Sequence, residues 1–338
     1  MTSLDFYTAS SLNAGLQCPT LFKYKYIDLY RTPPSPAMFT GSTMHKGLEG
    51  FFLGKSFEES CAMMEDYAKS ESDGWIEENQ ANWEKLKIYL HGYFKKWPQD
   101  FLKGKIVFVE QEFRFTYNKL EFGGKWDAVV YDPVEMTAII YEHKTTSLNL
   151  DSEADSYFAK LPLDVQCNIY REAAWSFLTL NDHPLIEMPG LVYDVIKTTK
   201  AAPKTKKRIV RRKDETDEDL ALRKEESMET FQEFGERISE DYMVVEDNKK
   251  YFQHEIPYVQ SNHKRRLFEL SEYANLLSNK GFLEIRNSTS CGNYGGCSYM
   301  DVCLGRERLD DSLKFTKMEE RHPELDGKGN LVLVNKWK

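Results

Sequence analysis

Residues 125–144 read KWDAVVYDPVEMTAIIYEHK, two apolar runs separated by a short polar insert. The insert, Asp132-Pro133-Val134-Glu135, is typical of a tight turn. Each flanking run has the β-branched and aromatic side chains that favour a strand. The stretch therefore predicts a β-hairpin, with strands over 125–131 and 137–144.

Strand and helix patterns continue on both sides of this hairpin. Apolar residues at three- and four-residue steps predict helices over about 83–97 and 163–180, and a further helical stretch ending near Leu277. The runs 106–115 and 190–196 predict strands, and Gly41–His45 predicts a loop that leads into a helix. Together the elements predict an α/β fold, in which helices flank a central mixed β-sheet and a helical region precedes it.

Charged residues stand at the ends of the hairpin strands. Side chains alternate across a strand, so Glu142 and Lys144 share one face while His143 points away, and Asp127 on the partner strand can lie beside them. Two carboxylates there can hold Mg²⁺ or Mn²⁺, and a lysine can orient or help deprotonate an attacking water. The alternative is an ordinary exposed Glu-x-Lys pair. The apolar run 138–141 favours a site, because it indicates that the pair emerges from buried sheet.

The composition restricts the class of protein. The chain has 338 residues and a formal net charge of -9, with 41% apolar and 29% charged residues, which is typical of one or two globular domains. It lacks the roughly 18 consecutive apolar residues of a membrane span, and its first residues lack the pattern of a signal peptide. A soluble, cytoplasmic protein is expected, in the host cytoplasm if the chain is viral. Net acidity argues against indiscriminate coating of nucleic acid but permits a local basic groove.

Several short motifs together resemble the PD-(D/E)XK nuclease superfamily. These are Gly41-x-x-x-His45, FGGKWD at 122–127, EHK at 142–144 and QCNIY at 166–170. Within the superfamily they are similar to the RecB-family exonucleases, including the AddB-type and CRISPR-adaptation-type members that carry an iron-sulfur cluster. The family's leading Pro-Asp is not literal, since Trp126 precedes Asp127. The resemblance implies a restriction-endonuclease-like core.

The resemblance also implies roles for individual residues. His45, Asp127, Glu142 and the backbone carbonyl of His143 would be the ligands of the catalytic metal. Lys144 would act on the water. The pair Gln166 and Tyr170 would brace the site and contact the scissile strand, which agrees with their four-residue spacing on one helix face. Taken alone, His45 is more typical of a helix-start histidine that the backbone satisfies, and only the company of the other motifs favours the ligand role.

The implied function is metal-dependent hydrolysis of DNA, most simply by an exonuclease acting on single strands or duplex ends. Such an enzyme would serve DNA recombination, repair, CRISPR adaptation or phage DNA metabolism. The sequence contains no Gly-x4-Gly-Lys-Ser/Thr, so a helicase or recombination partner would be a separate protein. The alternative is a non-catalytic DNA-binding or scaffolding module of the same fold. The intact Asp127, Glu142 and Lys144 argue against that alternative.

Three cysteines, Cys291, Cys297 and Cys303, lie within thirteen residues and are interleaved with glycines. Three clustered thiols need a fourth ligand, and Cys18 is the candidate. The resemblance implies a [4Fe-4S] cluster that closes the two ends of the chain over the core. A Zn²⁺ site and plain core thiols are the alternatives. Cys61 and Cys167 are interpreted as small buried hydrophobic residues.

Residues 197–213 contain nine Lys or Arg and no acidic residue, and an acidic run follows them. This segment predicts either a solvated surface or a DNA-binding surface. The candidate DNA-binding residues are Lys206, Lys207, Arg208, Arg211 and Arg212. The predicted divisions are 1–105 (Cys18 and His45 segment with helices), 106–200 (nuclease core), 201–285 (basic and acidic segment with helices), 286–306 (cysteine cluster) and 307–338 (polar tail ending in a small hairpin).

Overall fold

The computed structural model describes residues 6–148, 150–213, 215–244, 249–293, 296–323, 325 and 333–334. The strands are β1 (Phe6–Thr8), β2 (Tyr30–Arg31), β3 (Ile106–Tyr117), β4 (Leu120–Asp132), β5 (Thr137–Thr146), β6 (Gly190–Lys197), β7 (Tyr251–Glu255), β8 (Thr316–Lys317) and β9 (Leu333–Val334). The helices are α1 (Ala9–Gln17), α2 (Pro19–Phe22), α3 (Pro36–Phe52), α4 (Phe57–Glu71), α5 (Trp75–Glu78), α6 (Gln80–Lys96), α7 (Leu150–Ala159), α8 (Val165–Leu180), α9 (Asp217–Glu226), α10 (Phe231–Tyr242), α11 (Gln260–Leu277) and α12 (Met300–Cys303).

The main sheet is mixed, and its strands lie in the order β7-β6-β5-β4-β3-β9. Strands β3, β4 and β5 are antiparallel neighbours, β6 lies parallel to β5, and β7 is antiparallel to β6. The short β1 pairs in parallel with the beginning of β4. The predicted α/β fold and the predicted β4–β5 hairpin are both confirmed.

The hairpin turn forms for a local reason. The Asp132 Oδ1 atom accepts hydrogen bonds from the backbone N–H groups of Val134 at 2.9 Å and Glu135 at 3.1 Å. Such an Asx turn satisfies backbone donors that the ladder leaves unpaired. The turn sets the register of β5 against β4, in which Ala128 pairs with Tyr141.

Each face of the sheet buries a separate apolar core. One core lies between the sheet and α1, α8 and α11, with Leu12, Ile169 and Leu270 among its members. The other lies between the sheet and α3, α4, α6 and α10, with Leu48 and Phe234 among its members. The sheet is therefore covered on both faces, which explains its largely apolar strands.

Helix α3 begins earlier than the sequence pattern indicates. Residues 41–45 were expected in a loop before the helix, but they lie inside α3, which starts at Pro36. The Ser35 side chain caps the helix by accepting from Met38 N, and proline is favoured at the first helical position because its missing N–H needs no partner there. The prolines of this stretch thus begin a helix instead of breaking one, and His45 lies in its middle.

The two ends of the chain meet on the α1 side of the sheet. The Tyr7 hydroxyl donates to the Ala274 carbonyl at 2.8 Å, and the Asn287 amide donates to the Gln17 carbonyl at 2.8 Å.

The small hairpin predicted for the tail falls mainly on residues outside the described part of the chain. None of the helices in the described residues combines the length and apolar character that a bilayer crossing requires.

Candidate active site

Asp127 lies where β4 changes the strand that it pairs with on the edge away from β3. Residues 121–123 pair with β1, whereas residues 128–132 pair with β5. Beyond Tyr141, β5 therefore runs on beside β6 alone, and its next backbone groups need other partners. The Asp127 Oδ2 atom supplies one, since it accepts the His143 N–H at 2.7 Å. This bond ties the carboxylate of β4 to the charged end of β5.

The β3–β4 ladder is broken at the same level. It is regular on both sides of Glu110 and Asp127 but does not pair these two residues. Glu110 has a φ of 50°, a left-handed conformation that is uncommon for a residue with a side chain. Trp126 and Val129, three residues apart, consequently pack into the same core instead of facing opposite sides. Strained backbone of this kind is often found at functional sites.

His45 reaches the site from helix α3. Its Nδ1 atom lies 3.3 Å from the Asp127 Oδ1 atom. Asp127 thus contacts His45 through one oxygen and the β5 backbone through the other. The arrangement leaves His45 partly exposed, with the carboxylate deeper in the site.

Glu142 and Lys144 lie side by side, as the strand alternation predicted. Glu142 is only 2% exposed. Its Oε1 atom accepts hydrogen bonds from the Lys144 ammonium and, at 2.8 Å, from the Gln166 amide. Gln166 is held in the first turn of α8 because the N-cap residue Asp164 accepts its backbone N–H at 2.8 Å. The start of α8 therefore positions Gln166 against the carboxylate.

Tyr170 and His143 flank this group. The Tyr170 side chain is nearly buried, one turn after Gln166 on α8, and its ring packs edge-on against Phe113 at 5.2 Å. The His143 side chain points to the opposite face of the sheet, where Nδ1 lies 3.0 Å from Asp194 Oδ2. The structure thus brings together His45, Asp127, Glu142, Lys144, Gln166 and Tyr170, while the ligand role of the His143 carbonyl stays a prediction.

The charges of the site are strongly coupled. Burial and the nearby negative charge of Asp127 raise the pKa of Glu142 to about 7, against the attraction of Lys144. Burial also opposes ionisation of Asp127, but His45 holds the pKa of that carboxyl well below its usual range. Burial works against the charge of Lys144, yet Glu142 and Asp127 raise the pKa of its ammonium. Lys144 is therefore a cation between two carboxylates.

A model of the PD-(D/E)XK nuclease superfamily matches residues 7–304, nearly the whole chain. The chain belongs to the PD-(D/E)XK nuclease superfamily. Its carboxylate, lysine and glutamine group lies where a β4–β5 hairpin meets the start of α8. No curated protein matches the chain significantly.

The residues of this PD-(D/E)XK site fit a divalent metal ion. The Glu142 Oε2 atom is buried and has no hydrogen-bond partner among the described residues. A buried carboxylate oxygen without a partner is costly, and a bound cation would satisfy it. Asp127 and His45 are near enough for their charges to act on Glu142, and they offer oxygen and nitrogen ligands 3.3 Å apart. Hard oxygen ligands with one imidazole suit Mg²⁺ or Mn²⁺.

The structure adds Glu110, which sequence reasoning missed. Ligand atoms of His45, Glu110 and Asp127 all lie within 4.8 Å of one another. In the sequence, Glu110 and Glu112 are both acidic residues of an apolar strand, and regular alternation would place them on the same face. Only the break at Glu110 distinguishes them, and a strand pattern carries no signal for it. Glu110 lies level with Asp127, at the step where the β3–β4 ladder skips both residues.

Glu110→Gln should weaken Mn²⁺ binding about tenfold, because an amide removes one negative charge from the ligand group while keeping its size. Isothermal titration of the DNA-free protein with Mn²⁺ measures this affinity. Glu121→Gln is the matched control, since Glu121 lies on the same β3–β4 hairpin beside β1 and outside the ligand group. Equal Mn²⁺ affinities for the two variants would exclude Glu110 as a ligand.

Four cysteines line one cavity of about 320 Å³ between the chain ends. They are Cys18, Cys291, Cys297 and Cys303, all free thiols. The Asn287 N–H points to the Cys18 sulfur at 3.4 Å. Burial raises the pKa of the Cys297 thiol, and the charges of the other three cysteines raise it further. A backbone hydrogen bond acts in the opposite direction. The sequence-predicted set is therefore gathered in one place.

The other two cysteines lie outside this cavity. Cys167, in the first turn of α8, is buried in the core, as expected for a small hydrophobic residue. Cys61 on α4 packs against the second core but is only partly buried.

The basic segment leaves the sheet at the same end as the site. Lys197, the last residue of β6, pairs with Thr146, two residues beyond Lys144. Part of its charge is compensated locally, since Lys206 pairs with Glu233 at 2.8 Å and Arg211 with Asp217 at 2.9 Å. The predicted residues Lys206, Lys207 and Arg212 line a groove of about 630 Å³ together with Arg223.

Proposed function

We propose that the protein is a metal-dependent DNA nuclease of the RecB type that removes nucleotides from single strands or duplex ends. The observation that supports this best is the buried Glu142 carboxylate. One of its oxygens is bound by Lys144 and Gln166, and the other has no partner among the described residues. A purely DNA-binding module has no need of such an arrangement.

The four predicted groups would hold Mg²⁺ or Mn²⁺ in this site, namely His45, Asp127, Glu142 and the His143 carbonyl. Glu110, which lies within 4.8 Å of His45 and Asp127, would be a further ligand. A bound divalent cation lowers the pKa of its water and offsets charge on the phosphodiester. Lys144, kept cationic by its carboxylate neighbours, orients the attacking water and offsets negative charge as the phosphorus becomes pentacovalent. Gln166 fixes Glu142 and Lys144 relative to each other. Tyr170, next to them, braces the site and contacts the scissile DNA strand.

A digestion assay with end-labelled single- and double-stranded DNA tests the proposal. In Mg²⁺ or Mn²⁺ the protein should release short products from DNA ends. Ca²⁺ should support binding without turnover, because it activates water poorly. Binding without digestion in Mg²⁺ and in Mn²⁺ would instead favour the non-catalytic module.

We further propose that the four cysteines hold a [4Fe-4S] cluster. In a tetrahedral zinc site with Zn–S bonds near 2.3 Å, the sulfur atoms lie about 3.8 Å apart. Among the described residues, no three of these four sulfur atoms lie within 4.8 Å of one another. The wider spacing and the 320 Å³ cavity favour a larger centre than a single ion. Its thiolates would join the two ends of the chain.

The basic segment is the proposed DNA-binding surface, in a cytoplasmic enzyme that works beside a separate helicase or recombination partner. Lys206, Lys207, Arg208, Arg211 and Arg212 would contact phosphates near the end of β6. Positive charge in this region is needed, because the protein as a whole carries a net charge of -9 and the proposed substrate, DNA, is a polyanion.

Changing those five residues together to alanine should weaken DNA binding. The slope of log affinity against log salt should fall by roughly one unit for each phosphate that the variant no longer neutralises. Fluorescence anisotropy in Ca²⁺ measures both effects without turnover. The control removes five exposed cations elsewhere, and so changes net charge equally; these are Lys69, Lys103, Lys264, Arg265 and Lys280. If both sets change the slope equally, the segment is only a solvated surface.

A further inference from the structure

A second cavity, of about 280 Å³, opens beside the catalytic group. Gln166 and Tyr170 form one wall, Lys125 and Gly124 of β4 another, and Ser10 and Asn13 of α1 a third. Among the described residues no Asp or Glu lines it. In an acidic protein, next to a carboxylate-rich site, a cavity with an ammonium and hydroxyl and amide groups is suited to an anion.

The cavity depends on a glycine. A Cβ atom at Gly124 would lie 2.8 Å from the Phe113 ring and 3.2 Å from the Tyr170 ring. A side chain there would force Phe113 to move and would crowd Tyr170, which lines the cavity. The backbone of β4 can thus approach α8 closely, and the space beside Tyr170 stays open.

Lys125 stands between the cavity and the metal-ligand group. Its Nζ atom lies 2.5 Å from Glu110 Oε2, and its side chain is 36% exposed. Glu110 in turn lies within the group formed with His45 and Asp127. Lys125 therefore presents a fixed positive charge at the wall of the cavity.

We propose that Lys125 binds a backbone phosphate of the DNA strand in this cavity, next to the phosphate that is cleaved. The inference rests on the proposed nuclease function. Gln166 supports the spacing, because it contacts Glu142 and Lys144 on one side and lines the cavity on the other. A phosphate held by Lys125 would guide the strand past Tyr170 into the site, and Glu110 would hold the lysine in position.

The test compares Lys125→Ala and Lys125→Arg with Lys105→Ala. Lys105 is the matched control, since it also pairs with a β4 carboxylate, that of Asp132, and its side chain is similarly exposed, at 29%. Fluorescence anisotropy with a labelled single-stranded oligonucleotide in Ca²⁺ gives affinity and its salt dependence. Lys125→Ala should bind about tenfold more weakly, with a salt slope smaller by about 0.7. Lys125→Arg and Lys105→Ala should stay near wild type.

Cleavage in Mg²⁺ adds a second readout. Lys125→Ala should raise KM with little change in kcat. This is expected when a variant loses an interaction that is equally strong in the ground state and in the transition state. If it binds DNA like Lys105→Ala, or has a lower kcat at unchanged affinity, the proposed phosphate binding is wrong while the nuclease function stands. If wild-type protein neither binds nor cleaves DNA, the proposed function and this inference both fail.

Discussion

The Glu142→Gln variant should cleave DNA about a thousandfold more slowly than wild type. The amide keeps the size of the side chain and one oxygen for Lys144 and Gln166, which both bind Oε1. It replaces the other carboxylate oxygen, the one that has no partner among the described residues, with a group that cannot ligate a metal. Single-turnover cleavage of end-labelled DNA in Mg²⁺ measures the loss.

A matched control is Glu172→Gln, which changes another buried glutamate. Glu172 lies on α8 and contacts His263 Nε2 at 3.0 Å, away from the metal-ligand group. This variant should lose stability, because it removes a charge from a buried pair, but should keep the cleavage rate of its folded fraction. A Glu142→Gln rate near that of wild type would show that Glu142 is not a ligand of the catalytic metal.

Lys144→Ala separates metal binding from chemistry. It should also lose cleavage, yet bind Mn²⁺ at least as well as wild type, because it removes a cation beside two carboxylates and no ligand. Glu142→Gln should lose both. Titration with Mn²⁺ distinguishes the two variants, and a Lys144→Ala protein that cleaves normally would contradict the role of the lysine.

Much of the fold could be predicted from local pattern. The turn at Asp132–Glu135 depends on one side chain and the backbone groups that follow it. A short stretch of sequence therefore determines the hairpin and its register. Glu142 and Lys144 share a face because alternation holds along β5. The α8 pair Gln166 and Tyr170 follows from helical spacing in the same way.

Features that depend on distant contacts could not be predicted in this way. Glu110 joins the site because the β3–β4 ladder breaks at that level, and β1 pairs with β4 across more than a hundred residues of sequence. The sequence pattern predicts only an ordinary strand lysine at position 125. Its contact with Glu110 appears only in the folded structure. Such features depend on packing between elements, which composition and periodicity do not encode.

The Cys18→Ala variant should lose the visible colour of thiolate-bound iron and become much less stable. Cys18 lies roughly 270 residues before Cys291, and both line one cavity. A shared centre therefore closes a long loop, and the closure entropy removed from the unfolded chain is on the order of 5 kcal/mol. Ligation free energy adds to folding free energy, so loss of one ligand should lower the free energy of unfolding by several kcal/mol.

Anaerobic purification, absorption spectra, metal analysis and denaturant unfolding test this together. Cys61→Ala and Cys167→Ala are the controls, since neither thiol lines the cavity; the buried Cys167 variant should lose some stability but keep full colour. A colourless wild type with stoichiometric zinc would overturn iron while keeping the four ligands. A stable, fully coloured Cys18→Ala protein would instead exclude Cys18, and the closure of the two chain ends would then depend only on contacts such as the Asn287–Gln17 hydrogen bond.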